Sequence, residues 1–209
     1  MKIGILGTGN VGSTLGKRFA ALGHEVVYGA RDPADTGALL ANHPGTARSA
    51  SPADMAEASE LVVLAVPGGA TESAVRELAK HLEGKIVVDA TNPLEPNLAG
   101  LSVGHDDSLG ERVQRAAPGA RVVKAFNTIG VAVMAKPAYG DRRAILTACS
   151  DDAAAKRAVL DLGTALGFEA LDFGPLSAAR YTEPFAMLWI RLAYVHGLGP
   201  DFAFALLRR

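Results

Sequence analysis

The opening of the chain restricts its fold more than any other stretch. Met1-Lys2-Ile3-Gly4-Ile5-Leu6 is a short, mostly apolar strand run. It passes directly into Gly7-Thr8-Gly9-Asn10-Val11-Gly12, and a helical pattern follows. Strand, glycine loop and helix in this order form the unit that cradles the pyrophosphate of a dinucleotide. Gly7 permits the tight turn, Gly9 lets the backbone approach the phosphates, and Gly12 lets the helix sit close to the strand. The free N–H groups and positive end of that helix then face an anion. The remaining residues Thr8, Asn10 and Val11 share the loop, and all six are assigned to cofactor binding.

Strand and helix patterns alternate from there on. Strand-like runs lie near 2–6, 25–29, 61–65, 85–89, 121–125, 144–148 and 168–171, with a weaker one near 46–48. Helical patterns fill about 11–22, 34–42, 52–58, 70–82, 108–117 and 152–166. Ser51-Pro52 with Asp54, and Ser108 with Glu111, have the spacing of capped helix starts. Gly23 and Gly167 stand where helices should end. Leu61-Val62-Val63-Leu64-Ala65 is apolar throughout, as expected where both faces of a parallel sheet are covered. The fold class predicted is α/β: a Rossmann-type, doubly wound, mainly parallel sheet with a small C-terminal helical part. Residues 1–125 are read as the nucleotide-binding domain and 126–209 as the C-terminal part. In that part Leu176–Thr182 reads as one helical segment, Glu183-Pro184 as the start or kink of another reaching His196-Gly197, and Phe202 to Leu207 as a last short helix. These apolar helices are expected to pack back on the domain or on a partner subunit.

The second strand run ends Val26-Val27-Tyr28-Gly29-Ala30-Arg31-Asp32. Enzymes that use NAD place an acid near this point for the ribose hydroxyls. Gly29 and Ala30 offer none, and Arg31 supplies a cation suited to the 2′-phosphate of NADP. Asp32 either takes the ribose or caps the helix after Pro33. Ligands of open α/β sheets sit beyond the carboxyl ends of the strands. Val66-Pro67-Gly68-Gly69, Thr91-Asn92-Pro93-Leu94 and Phe126-Asn127-Thr128-Ile129-Gly130 all follow strand runs there. Val66, Pro67 and Asn92 are assigned to the cofactor; Asn127, Thr128 and Ile129 are assigned to the substrate, with Asn127 and Ile129 near the nicotinamide. No general acid or base is evident. Lys124 and Asn127 have the Lys-x-x-Asn spacing that β-hydroxyacid dehydrogenases carry on a helix. At a strand end, residues three apart should point to opposite faces, so the pair is read as coincidental. The absence of acid–base machinery suits hydride transfer between two rings, where positioning carries the rate.

Composition narrows the alternatives. The 209 residues carry a net charge of −1, which argues against nucleic acid or an anionic membrane as partner. The single cysteine, Cys149, lies in an apolar run and reads as a buried small hydrophobe. His105-Asp106-Asp107 reads as a solvated acidic loop, so no metal site is assigned. No leader is recognised ahead of the glycine loop, and no apolar run approaches the ~18 residues of a membrane span. A cytoplasmic protein acting on a small molecule is expected.

The combination resembles a known family, the NADPH-dependent reductases of the deazaflavin coenzyme F-420. Its relatives include the oxidoreductase domain of the six-transmembrane ferric reductases. The likeness rests on Gly7 to Gly12, on Leu22-Gly23-His24-Glu25-Val26 leading to Gly29-Ala30-Arg31, on Phe126-Asn127-Thr128-Ile129, and on Asp172-Phe173-Gly174-Pro175-Leu176-Ser177-Ala178-Ala179-Arg180. The resemblance implies NADP(H) across the glycine loop with its 2′-phosphate at Arg31. It also implies a deazaflavin or flavin ring against the nicotinamide near Asn127 to Ile129, and a dimer. Asn127 stands where the archaeal members typically carry histidine, and Ala30 where serine is common. Reduction of a small carbonyl or imine is the alternative activity, but only about 35 residues follow the last strand run, few for the helical domain of such enzymes. A non-enzymatic NADP-binding sensor is the remaining alternative.

Overall fold

The computed structural model describes all residues, 1–209. Ten strands and eight α-helices alternate. The strands are β1 (Lys2–Leu6), β2 (Glu25–Gly29), β3 (Ala47–Ala50), β4 (Leu61–Leu64), β5 (Ile86–Asp89), β6 (Arg121–Ala125), β7 (Ala138–Tyr139), β8 (Arg142–Arg143), β9 (Ile145–Cys149) and β10 (Glu169–Asp172). The helices are α1 (Asn10–Ala21), α2 (Gly37–Ala41), α3 (Pro52–Ala58), α4 (Gly68–Leu78), α5 (Leu109–Ala116), α6 (Val131–Ala135), α7 (Ala153–Ala165) and α8 (Ala179–Ile190). Eight strands form one sheet in the order β10-β9-β6-β5-β4-β1-β2-β3, and β7 and β8 form a separate hairpin. The six strands from β3 to β6 are parallel. Winding proceeds outward in both directions from the β1–β4 boundary, which makes that boundary the topological switch point.

Strand residues alternate between two cores, as a period of two requires. Ile3, Ile5, Leu61 and Val63 pack on one face with Leu15 and Phe19 of α1 and Val159 of α7. Leu6, Val62 and Leu64 pack on the other with Met55 of α3, Val75 of α4 and Val113 of α5. Both faces are covered, which is why the strands tolerate apolar residues throughout. The expected caps are present: the side chains of Ser51 and Ser108 accept from the N–H groups of Asp54 and Glu111. Gly23 and Gly167 close α1 and α7 with φ of 84° and 99°, in the left-handed region where glycine pays no Cβ penalty.

Three features depart from the sequence expectation. The strand expected near 144–148 is present but antiparallel to β6. The intervening helix α6 has only five residues, too short to carry the chain back across the sheet for a parallel return. The 13-residue α7 does make that crossover, and β10 is parallel to β9. Second, Glu183-Pro184 does not start a new helix. α8 runs through Pro184, losing one backbone donor, and continues as a π-turn from Arg191 to Val195. Third, Phe202 to Leu207 is not helical. Gly197 and Gly199 adopt left-handed φ, and the chain then runs extended so that Phe202 stacks on Trp189 and Phe204 meets Phe185. A spacing of two places both rings on one side of an extended segment. The Ile145 N–H donates to the Phe204 carbonyl and the Trp189 Nε1–H to the Phe202 carbonyl. Met187, Trp189 and Ile190 form a third apolar cluster, against Leu94, Leu98 and Leu101.

Candidate functional site

The carboxyl ends of β1 and β4 face a crevice whose floor is backbone. Gly7 turns with φ of 112°, and its N–H donates to the Gly29 carbonyl at the end of β2. A Cβ at Gly7 would press on the Ala65 carbonyl, and one at Gly12 would collide with the Gly7 carbonyl. These two glycines are required by packing. Gly9 differs: a Cβ there would meet nothing within 4 Å. Its glycine is not needed for the fold, yet it lies at the exposed N-cap of α1. That cap carries no side-chain hydrogen bond and the first turn no acid. By contrast, α3, α5 and α7 start on Ser51, Ser108 and Asp152, each of which accepts from its own helix. A bare helix start beneath open space is the arrangement that fits a phosphate. Thr8 and Asn10 are exposed here and Val11 is half-buried.

Arg31 follows buried Ala30 just past β2. It is exposed and has no ion pair. Asp32 accepts from the Ala34 N–H and so caps the short 3-10 turn at Pro33–Thr36. One Asp32 carboxylate oxygen is thereby engaged within its own turn. On the other side of the switch point, Val66 and Pro67 lead into α4, whose start is also without a side-chain cap. Gly68 is required there because a Cβ would strike the Asn92 carbonyl. The turns after β4 and β5 therefore touch through backbone.

The structure brings Asn92 and Asn127 together. Asn92 Nδ2 donates to the Asn127 carbonyl at 2.8 Å, and Asn127 Nδ2 donates to Asn92 Oδ1 at 3.1 Å and to the Thr182 carbonyl at 3.3 Å. Asn127 and Thr128 are buried, and Ile129 is partly exposed at the same edge. Asn127 Oδ1 is a buried acceptor without a donor. An orphan of this kind costs ~1–3 kcal/mol unless a partner reaches it.

Beneath this pair lies a charge cluster that sequence reasoning missed. Lys124 at the end of β6 is fully buried. Its Nζ donates to Asp89 Oδ2 at 2.9 Å, to the Thr91 carbonyl at 2.8 Å and to Glu183 Oε1 at 2.7 Å. Asp89 Oδ1 accepts from the Thr91 N–H and hydroxyl. Glu183 accepts from the N–H groups of Leu109 and Gly110 at the start of α5. Burial, the largest influence on Lys124, works against its charge. Asp89 and Glu183 outweigh it and hold the ammonium above the ordinary lysine range. All three ammonium protons are engaged, so Lys124 is a cross-link between β5, β6 and α8. The signal was present in the sequence: Asp89 ends the apolar run of β5, and Lys124 interrupts the apolar run Val122-Val123-Lys124-Ala125 of the adjacent β6.

The opposite-face expectation for Lys124 and Asn127 also fails. Phe126 between them has φ of 66°, a left-handed conformation rare for an aromatic residue. Its ring is locked edge-on against Phe19 and Phe168. The twist cancels the strand alternation, so Lys124 and Asn127 reach consecutive residues of α8, Glu183 and Thr182. Elsewhere, in the loop expected to be a solvated acidic one, Asp107 accepts from Arg112 and Arg115. Arg180 makes a two-pronged pair with Glu111. Burial pushes the Cys149 thiol up to about 11, which leaves it unreactive near neutral pH. No helix is long and apolar enough to cross a membrane.

Comparison with known proteins follows the same lines. Residues 2–93 match the family model described as NADP oxidoreductase coenzyme F420-dependent. Metalloreductase STEAP3 of Rattus norvegicus is 35% identical over 87% of this chain, which spans only 36% of that protein. The F420-dependent NADP reductase of Methanothermobacter marburgensis is 31% identical over 92% of both chains. The crystal structure of a candidate F420-dependent NADP-reductase from Arthrobacter sp. FB24 superposes over the whole of both chains, with a TM-score of 0.91 and 39% identity. With full-length similarity of this kind, the chain belongs to the F420-dependent NADP reductase family.

Proposed function

We propose that this protein is an NADP(H)-dependent oxidoreductase that moves hydride between NADPH and the deazaflavin coenzyme F420. The observation that carries the reading is the bare, glycine-lined start of α1 with an unpaired Arg31 one strand away. Gly7 to Gly12 hold the pyrophosphate through backbone N–H groups. Arg31, beside Ala30, takes the 2′-phosphate; Val66, Pro67 and Asn92 flank the middle of the dinucleotide. Bound NADPH supplies the hydride from its reduced nicotinamide ring. Asn127, Thr128 and Ile129 form the wall against which the two rings meet, and the orphan Asn127 Oδ1 is suited to an amide donor.

No titratable side chain stands free at that wall. Lys124 is fully engaged below it, so the protein's contribution is orientation. Residues 1–125 supply the dinucleotide site, and residues 126–209 supply the wall for the second ring. Tyr181, Leu188, Tyr194, Val195 and Leu198 are exposed on and just after α8. That face is the proposed contact of a homodimer, checked by light scattering of the wild type and of Leu188→Lys. A cytoplasmic, small-molecule role completes the proposal.

The test is anaerobic NADPH oxidation by purified protein with F420, FMN, FAD or no acceptor. Turnover confined to F420 is the expected result. Turnover with FMN or FAD instead would move the activity to a flavin or metal reductase, and tight NADPH binding without turnover would point to another small substrate or to a sensor.

A further inference from the structure

The buried cluster beneath Asn92 and Asn127 is satisfied in hydrogen bonds but not in charge. Asp89 accepts from the Thr91 N–H, the Thr91 hydroxyl and Lys124 Nζ. Glu183 accepts from the Leu109 and Gly110 N–H groups and from Lys124 Nζ. An ammonium and backbone N–H groups only donate, so these contacts select the ionised form of both carboxyls. Lys124 is the only cation that either one meets. Arg180, one turn before Glu183 on α8, is taken by Glu111, and Lys156 by Asp172. Two carboxylates around one ammonium leave a net charge of −1, buried from water. The partial positive charge at the start of α5, where Glu183 docks, offsets about half of it.

This charge sits one residue away from the crevice on two sides. Thr91, bound by both Asp89 and Lys124, is followed directly by Asn92. Glu183 follows Thr182, whose carbonyl accepts from Asn127 Nδ2. Loss of hydride from C4 to the acceptor adds one positive charge to a nicotinamide ring. A fixed negative charge beneath the ring favours that change, and burial limits screening by water. One unit charge at roughly 10 Å, with an effective dielectric of ~20, corresponds to about a fifteenfold preference, and half a charge to about fourfold.

We propose that the net negative charge of the Asp89–Lys124–Glu183 cluster favours the oxidised, cationic nicotinamide in the crevice. It thereby tilts binding toward NADP+ relative to NADPH and promotes hydride release, in addition to the orientation that the asparagines provide. The inference rests on the proposed placement of the nicotinamide beside Asn127.

The test is calorimetric titration of the full-length protein with NADP+ and with NADPH, and with 2′-phospho-ADP-ribose, which has no nicotinamide. It compares the wild type with Glu183→Gln, with Asp89→Asn, and with the triple variant Lys124→Met, Asp89→Asn, Glu183→Gln. Each variant removes the net charge while keeping side-chain volume nearly constant. The triple variant strands no buried charge, so the comparison survives if a single variant fails to fold. The ratio Kd(NADP+)/Kd(NADPH) should rise roughly fivefold to fifteenfold in every folded variant, with the affinity for 2′-phospho-ADP-ribose unchanged. A merely structural role would weaken both cofactors together and leave the ratio where it was. An unchanged ratio in folded variants that still bind NADPH overturns the inference and leaves the dinucleotide site standing. Failure of the wild type to bind either cofactor overturns both.

Discussion

The two ends of the crevice handle backbone and charge in opposite ways. At the start of α1 nothing is satisfied: the cap has no side-chain partner, the first turn has no acid, and Gly9 borders open space. Below Asn127 nearly everything is satisfied, with each Lys124 donor and both carboxylates of Asp89 and Glu183 engaged. The first pattern leaves binding free energy for a ligand. The second consumes it in holding three elements together. A charged residue near a crevice is thus not evidence of chemistry until its partners are counted.

That contrast can be broken most forcefully at Lys124. Lys124→Met strands two buried carboxylates and should cost about 3–5 kcal/mol in urea unfolding. A loss below about 1 kcal/mol would mean the network is not the cross-link described. Adding Asp89→Asn and Glu183→Gln to that variant should return part of the loss, since the orphaned charges go with it. Next come the two kinds of glycine. Gly68→Ala drives a Cβ into the Asn92 carbonyl and should destabilise by about 1–3 kcal/mol. Gly9→Val should leave Tm unchanged while abolishing measurable NADPH binding; retained affinity would show that the loop does not cradle phosphate. At the outer end of the crevice, Arg31→Ala should weaken NADPH by about 1–3 kcal/mol, roughly fivefold to 150-fold, with NADH unaffected. Equal affinity of the wild type for both cofactors would remove Arg31 from the site.

The smallest effect concerns Arg180 and Glu111. The Arg180 guanidinium holds the Glu111 carboxyl below the usual glutamate range. A lowered folded-state value stabilises above the unfolded value, and the contribution disappears as pH falls through the folded one. Arg180→Ala should therefore lower Tm slightly at pH 7, with the deficit closing below roughly pH 4. A deficit independent of pH would assign the loss to side-chain packing.

Much of this was readable in the residues. Apolar strand runs, Ser and Asp caps and the glycine loop are local signals, and each was found within a few residues of its expected place. The direction of β9 was not readable, because an antiparallel and a parallel strand have the same apolar pattern. The final segment departs from the helix expected there because Phe202 and Phe204, two apart, serve one side of an extended chain. Asn92 and Asn127 were both singled out, but not their contact, which spans 35 positions. The role of Lys124 depended on Glu183, 59 positions away, and on the left-handed Phe126 that breaks strand alternation.

The sequence by itself determined the two-faced parallel sheet, the glycine turn with its uncapped helix start and the cation at the end of β2, because those follow from periodicity and from residues within one turn of each other. Only the tertiary structure decided which charges are spent and which are free. An ion pair or an orphaned amide is a property of distance in space, and burial sets its energy.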